Sequence, residues 1–189
     1  MNKKILSDLG DYLLAHREEI VGEWLRAVEQ DPDISSSDYL KDKEALRDHL
    51  PGLCQHLAEL LKSPQSDQKR AEVSRAARVH GKSRWLQGYR LEEVIREATV
   101  VRRIISHNWL DVYAGKVPKL NGRTRRAAEN IIHQAVDDVI SDSAAQFVRE
   151  QLKATSHLNS QLADALAEVR HEKGAADAAK TTKRKRPRS

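Results

Sequence analysis

Apolar residues recur at three- and four-residue steps through Ile5, Leu6, Leu9, Leu13, Ile20, Val21, Trp24, Leu25 and Val28, the spacing of one or two amphipathic helices. Asp31-Pro32-Asp33 stops that run, because proline cannot continue a helix and aspartate favours turns. Ser35 to Asp38 then offers N-caps for a short helix to His49. Pro51, tolerated in a first helical turn, opens another through Leu53, Leu57, Leu60 and Leu61 to Ser63-Pro64. Asp67 is the expected cap of a helix through Val73, Ala76, Ala77, Val79 and Trp85 that ends at Gly88. From Leu91 to Tyr113 the seam is Leu91, Val94, Ala98, Val101, Ile105, Trp109 and Val112, widened by Ile95, Val100 and Ile104. A helix apolar over so wide a sector touches two neighbours, or the core on one side and a partner on the other.

Gly115 to Gly122, with Pro118, forms the next connection, and helical pattern then continues from about Thr124 to Val169 without Gly or Pro. At 1.5 Å per residue this stretch of about 45 residues extends about 68 Å, so its far end is predicted to project from a domain of this size. The first half carries a broad stripe suited to core burial: Ala128, Ile131, Ile132, Ala135, Val136, Val139, Ile140 and Phe147. The second half narrows to Val148, Leu152, Thr155, Asn159, Leu162, Leu166 and Val169, alternating steps of four and three. That is a heptad seam, and in this register Asn159 takes a core position where a buried Asn pairs with its symmetry mate in a parallel dimer. A competing seam runs through Thr155, Leu158, Leu162, Ala165 and Val169.

Composition narrows the class. Gly and Pro together number 13 of 189 residues and β-branched residues never alternate in a strand-like way, so the predicted fold is an all-α bundle with one core. The core residues expected first are Trp24, Trp85, Ile95, Ile105, Trp109, Ile132, Val136 and Phe147. The formal charge of +5 is uneven: Arg170 to Ser189 carries 8 basic and 2 acidic residues, leaving 25 and 26 for the rest. A nearly neutral folded part lacks the footprint of a duplex-binding domain. The run Lys183 to Arg188 could attract nucleic acid or anionic lipid through a tail from residue 174 that is expected to be disordered, although a solubilising tail is the preferred reading. The sole cysteine, Cys54, excludes an intramolecular disulfide and fits a reducing cytoplasm. Asp8 and Asp11 interrupt any secretion-signal core, and no stretch approaches the roughly 20 apolar residues of a membrane span. A cytoplasmic chain with no membrane contact is expected.

Candidate chemistry is sparse. The chain has no glycine-rich phosphate loop, H-E-x-x-H, cysteine pair or G-x-S-x-G elbow. His49 and His56 stand about two helical turns apart, too far to share an ion. His107 with Asp111 and His133 with Asp137 are each one turn apart, a spacing that could suit a two-His, two-Asp metal site, but local ion pairs on solvated faces are the expected reading. His80 or His107 would be the axial ligand of a haem, yet one Phe and one Met leave little to wall a porphyrin. No enzyme activity, cofactor or metal is expected.

The stretch His80-Gly81-Lys82-Ser83-Arg84-Trp85-Leu86-Gln87-Gly88-Tyr89-Arg90-Leu91-Glu92-Glu93-Val94-Ile95-Arg96-Glu97 reads as a tight corner between two core helices, with Gly88 as C-cap and Tyr89 packed beneath it. His80, Trp85, Gly88 and Tyr89 are its key positions. This corner, with Leu13 to Val21, Trp24-Leu25 and the run Val100 to Ile105, resembles the N-terminal sensor domain of stressosome RsbR-type proteins over about residues 5 to 148. Similar domains stand at the front of some bacterial sensor histidine kinases. The resemblance implies a globin-like bundle without haem that dimerises and passes an input through its last helix to an output partner. Neither a sulfate-transporter-like anti-sigma-antagonist domain nor a kinase module fits in the remaining residues. His157 in Ser156-His157-Leu158-Asn159 lacks the residues that follow a kinase phosphoacceptor and is expected on the helix surface.

The sequence thus predicts a sensor and dimerisation domain over 1–148, a coiled-coil signalling helix over 149–173 and a basic tail over 174–189. It would relay a signal as a homodimer to a downstream signalling protein. The expected interface positions are Val101, Ile105, Trp109, Val136, Phe147, Leu152, Asn159, Leu162 and Leu166. The alternative function is a nucleic-acid-associated protein that binds through its tail.

Overall fold

The computed structural model describes residues 2–34 and 50–184, with side chains as far as Gly174. The predicted helix ending at His49 lies outside the described residues, as does His49. Two compact units divide the chain at Val148 and Arg149. The first begins with α1, Lys3–Ala15, whose cap Asn2 accepts the N–H groups of Lys4 at 3.1 Å and Ile5 at 3.3 Å. Leu6, Leu9 and Leu13 then fall on one buried face, as a three-four spacing requires. His16 ends α1 and separates it from α2, Arg17–Glu29. Glu18 and Glu19 occupy the first turn of α2, where the helix dipole favours negative charge.

α3, Leu50–Lys62, buries Cys54, Leu57, Ala58, Leu60 and Leu61 and packs across α1. The two backbones meet closely there, since a Cβ on Gly10 would stand 2.8 Å from the Ala58 carbonyl oxygen. α4, Asp67–Leu86, is capped by Ser66, whose Oγ accepts the Lys69 N–H at 3.3 Å. Asp67, the expected cap, is instead the first helical residue, and Val79 of the predicted stripe is 59% exposed. Gly81 of α4 lies directly against the backbone of Ser143, and Ser143 Oγ donates to the Ala77 carbonyl at 2.9 Å.

The long helix predicted from Leu91 is divided. α5, Leu91–Arg103, leads into a single π-helical turn, Ile104–Trp109, and then α6, Leu110–Lys116. The wide turn inserts one extra residue into the helical count. Burial consequently follows Val94, Ala98, Val101 and Ile105 as expected, then moves on to Leu110 and Tyr113 in place of Trp109 and Val112. Val112 is 49% exposed and Trp109 half-buried. Ile95, expected in the core, is exposed on the far face of α5.

α7, Gly122–Arg184, starts where Asn121 Oδ1 accepts the Thr124 N–H at 2.9 Å. It runs past Val169, where the helical pattern of the sequence ends, and past Gly174, where a disordered tail is expected. Within the first unit its residues Ala128, Ile132, Ala135, Val136, Val139 and Phe147 are buried. In the second unit Leu152, Leu158, Leu162, Leu166 and Val169 are all exposed. The all-α bundle with one long C-terminal helix agrees with the sequence reading.

Candidate functional site

The corner between α4 and α5 places two charges in the core. Gly88 adopts φ 75°, a left-handed conformation that costs a glycine little. The Gly88 N–H donates to the Trp85 carbonyl at 3.0 Å and the Tyr89 N–H to the Arg84 carbonyl at 3.0 Å, the paired bonds of a Schellman ending. The chain reverses in a few residues, and Glu93 Oε2 accepts the Arg90 N–H at 2.7 Å to open α5. Arg84 in the last turn of α4 therefore faces Glu97 in the second turn of α5.

Arg84 Nε donates to Glu97 Oε2 at 2.9 Å, and the two side chains are 1% and 2% exposed. Arg84 also donates from Nη1 to Gln87 Oε1 at 2.7 Å, and its guanidinium lies 4.9 Å from the Tyr89 ring centre. His80, one turn before Arg84, holds Nε2 3.6 Å from Glu97 Oε2. From α2, Trp24 Nε1 donates to the Glu97 carbonyl at 3.1 Å. Three helices are thus joined at one charge pair. Burial pushes the Glu97 carboxyl above the usual range and the Arg84 charge draws it back only in part. Burial, with Glu97 nearby, also raises the Tyr89 phenol. Such a pair adds little net stability over an apolar core, but removal of one partner strands the other charge and costs about 3–5 kcal/mol.

Beside the pair is a cavity of about 250 Å³. Leu50, Leu53, Val73, Val101 and Val139 contribute apolar walls, while His80, Arg84 and Glu97 form a polar end. Glu97 Oε2 is engaged by Arg84, and the carboxylate also takes a hydrogen bond from the Tyr89 hydroxyl. Elsewhere, Cys54 is buried and its thiol is pushed up to about 12 by desolvation, which keeps it protonated and unreactive.

The corner positions His80, Trp85, Gly88 and Tyr89 all belong to this region, Trp85 meeting Phe147 edge-on with ring centres 5.3 Å apart. Of the expected interface positions, Val101, Ile105, Val136 and Phe147 are buried by the chain's own helices. Trp109 packs against His16 with ring centres 5.2 Å apart and donates from Nε1 to Glu23 Oε2 at 2.9 Å. Leu152, Asn159, Leu162 and Leu166 are exposed. Asp111 and Asp137 meet Arg125 and Arg102 at 2.5 and 2.6 Å. Among the described residues no three His, Cys, Asp or Glu side chains group to hold a metal. His157 is exposed and lies 3.0 Å from Gln161. The basic run Lys183 to Arg188 lies outside the described side chains.

Sequence reasoning passed over Arg84 and Glu97, although a signal exists. Glu97 stands three residues after Val94 and four before Val101, on the face of α5 that the seam assigns to the core. A charge at such a position calls for a partner.

The family model of the RsbT co-antagonist protein rsbRD N-terminal domain matches residues 18–162. The chain belongs to this family. The match contains the α4–α5 corner, the charge pair and the cavity, and extends to Leu162 in the exposed part of α7. No curated protein and no solved structure matches the chain. Among the described residues no helix is long and apolar enough to cross a membrane. The RsbRD N-terminal family is regulatory, which agrees with the signalling role expected from the sequence.

Proposed function

We propose that this RsbRD-type domain is a cytoplasmic, non-catalytic sensor and relay module of globin-like form that works as a homodimer and delivers its signal through α7 to a downstream protein of the RsbT kind. The family supplies the regulatory role. One observation carries the dimer: Leu152, Leu162, Leu166 and Val169 are each about half or more exposed and recur at heptad spacing. Leaving such a row in water forfeits roughly 1.5–3 kcal/mol per large side chain, which a second copy of the same helix recovers. Asn159 lies within that row and favours a parallel, two-stranded arrangement. A signal acting on the bundle then passes along α7 as a rotation or register change between two packings.

Sedimentation equilibrium of the full chain tests this reading. The expected mass is that of a dimer, falling to a monomer when Leu152, Leu162 and Leu166 are replaced by Glu. Asn159→Ile is expected to tighten association while loosening stoichiometry or orientation, read by mass and by cross-linking of single cysteines placed near residue 159. A wild-type chain that stays monomeric at every concentration overturns the proposal.

A further inference from the structure

The end of the bundle where α1 and α7 begin carries charge of one sign. Residues 1–7 contain two cations and residues 112–128 five, and neither stretch contains an acidic residue. The fold brings the two stretches together: the Asn2 N–H donates to Thr124 Oγ1 at 3.4 Å and the Tyr113 hydroxyl to the Ile5 carbonyl at 3.3 Å. Arg125 is engaged by Asp111 and Glu129, and Lys116 lies 5.2 Å from the Tyr12 ring centre. Lys3, Lys4, Lys119, Arg123 and Arg126 are exposed and take no ion pair among the described residues. Their positions also run against the helix dipole, whose positive end favours acids in a first turn. α2, α4, α5 and α6 follow that rule with Glu18, Asp67, Glu92 and Asp111. α1 and α7 have no acid in the first turn and place Lys3, Lys4 and Arg123 there instead. Two adjacent helices that break one local rule in the same direction point to a function that offsets the cost, and the missing negative charge is what a partner supplies.

We infer that this end of the bundle is a docking surface for an acidic segment of a partner protein, whose Asp and Glu carboxylates pair with Lys3, Lys4, Lys119, Arg123 and Arg126. Arginine suits the role, because its planar fork takes a carboxylate through two parallel hydrogen bonds. A backbone has room to approach, since a Cβ added at Gly115 or Gly122 meets nothing within 4 Å. Other polyanions fit less well. Single-stranded nucleic acid is held by stacking on aromatic rings, and Tyr113, the aromatic residue of these two stretches, is buried. An anionic membrane holds a protein stably when inserted apolar side chains or a lipid chain join the charge. Here Ile5, Leu6, Val117 and Leu120 pack into the core, leaving Val112 as the large apolar side chain of these stretches that is exposed. Lys3 and Lys4 stand before the residues matched by the family model, so the surface goes beyond what the family supplies. It does not rest on the dimer or on the heptad row.

The probes are a short fluorescent peptide of alternating Glu and Ser, its counterpart with Gln for Glu, a short DNA duplex, and vesicles of phosphatidylglycerol and phosphatidylcholine. The full-length chain is used with Lys183, Arg184, Lys185 and Arg186 replaced by Gln, so that the tail does not capture the probes. By fluorescence anisotropy the Glu peptide is expected to bind at one site per chain, at least about tenfold more tightly than the Gln peptide, and more weakly as salt is added, since exposed charges are screened. Lys3→Glu with Lys4→Glu, and separately Arg123→Glu with Arg126→Glu, are each expected to weaken it at least about tenfold. The thermal midpoints of both variants are expected to stay the same or rise, because an acid in a first turn suits the dipole. Loss of binding without loss of stability separates a docking role from damage to the fold. Failure of the Glu peptide to bind, equal binding of the Gln peptide, or undiminished binding in either folded charge-reversed chain overturns the inference. So does tighter binding of DNA or vesicles than of the peptide at equal concentration of negative charge, which assigns the surface to another partner. Sedimentation reports separately on the dimer, so loss of either result leaves the other standing.

Discussion

Gly81 and Gly22 occupy helix interiors and look alike in the sequence, yet they answer to different physics. A Cβ on Gly22 would meet the Arg26 guanidinium at 3.6 Å, an ordinary contact with a flexible side-chain tip. A Cβ on Gly81 would overlap the backbone of Ser143, which cannot move without parting α4 from α7. Gly81→Ala is therefore expected to lower unfolding free energy by about 1–3 kcal/mol through overpacking. Gly22→Ala is expected to raise it by about 0.5–1 kcal/mol through helix propensity. Urea denaturation midpoints measure both, and a neutral Gly81→Ala would show that the helices are not so tightly crossed. Periodicity identifies both positions as helical, but the identity of the atom facing each one belongs to another part of the chain. The same holds for Glu97: its place on a core face was legible, its partner Arg84 across a corner was not.

Among elements, the π turn at Ile104–Trp109 has the largest consequence. Hydrophobic spacing is counted at 3.6 residues per turn, and one wider turn shifts every later position by one. The sequence accordingly marked Trp109 and Val112, while the folded chain buries Leu110 to 0% and Tyr113 to 5% exposure. Leu110→Ala is expected to cost about 2–5 kcal/mol, whereas Val112→Ala, at a half-exposed site, is expected to change stability by no more than about 0.5 kcal/mol. Equal effects in thermal or urea unfolding would restore the uninterrupted register. The displaced Trp109 is not wasted, since the turn brings it and Asn108 to Glu23 of α2. Where the helical count is unbroken, as in α1, α2 and the first half of α7, the residues predicted to be buried largely are.

Across the whole molecule, the buried charge pair ties stability to pH. The folded chain keeps the Glu97 proton to a higher pH than the unfolded chain, whose glutamate titrates near 4.5. Between those two values the native state binds more protons, so the stability contributed by this group falls as pH rises through the window and levels off once both states are ionised. Urea midpoints of wild type and Glu97→Gln from pH 4 upward are expected to converge or cross in that direction, and a difference profile flat with pH would remove Glu97 as the source. The amino-acid sequence by itself determined the all-helical class, most helix boundaries, the family and the heptad row on α7, because these depend on spacing along one element. Tertiary structure decided which side chains the bundle covers without help, Val101, Ile105, Val136 and Phe147 among them. It also decided where Arg84 meets Glu97 and that a cavity opens beside them. These are relations between segments that approach only once the chain has folded, and no periodicity within either segment encodes the distance between them.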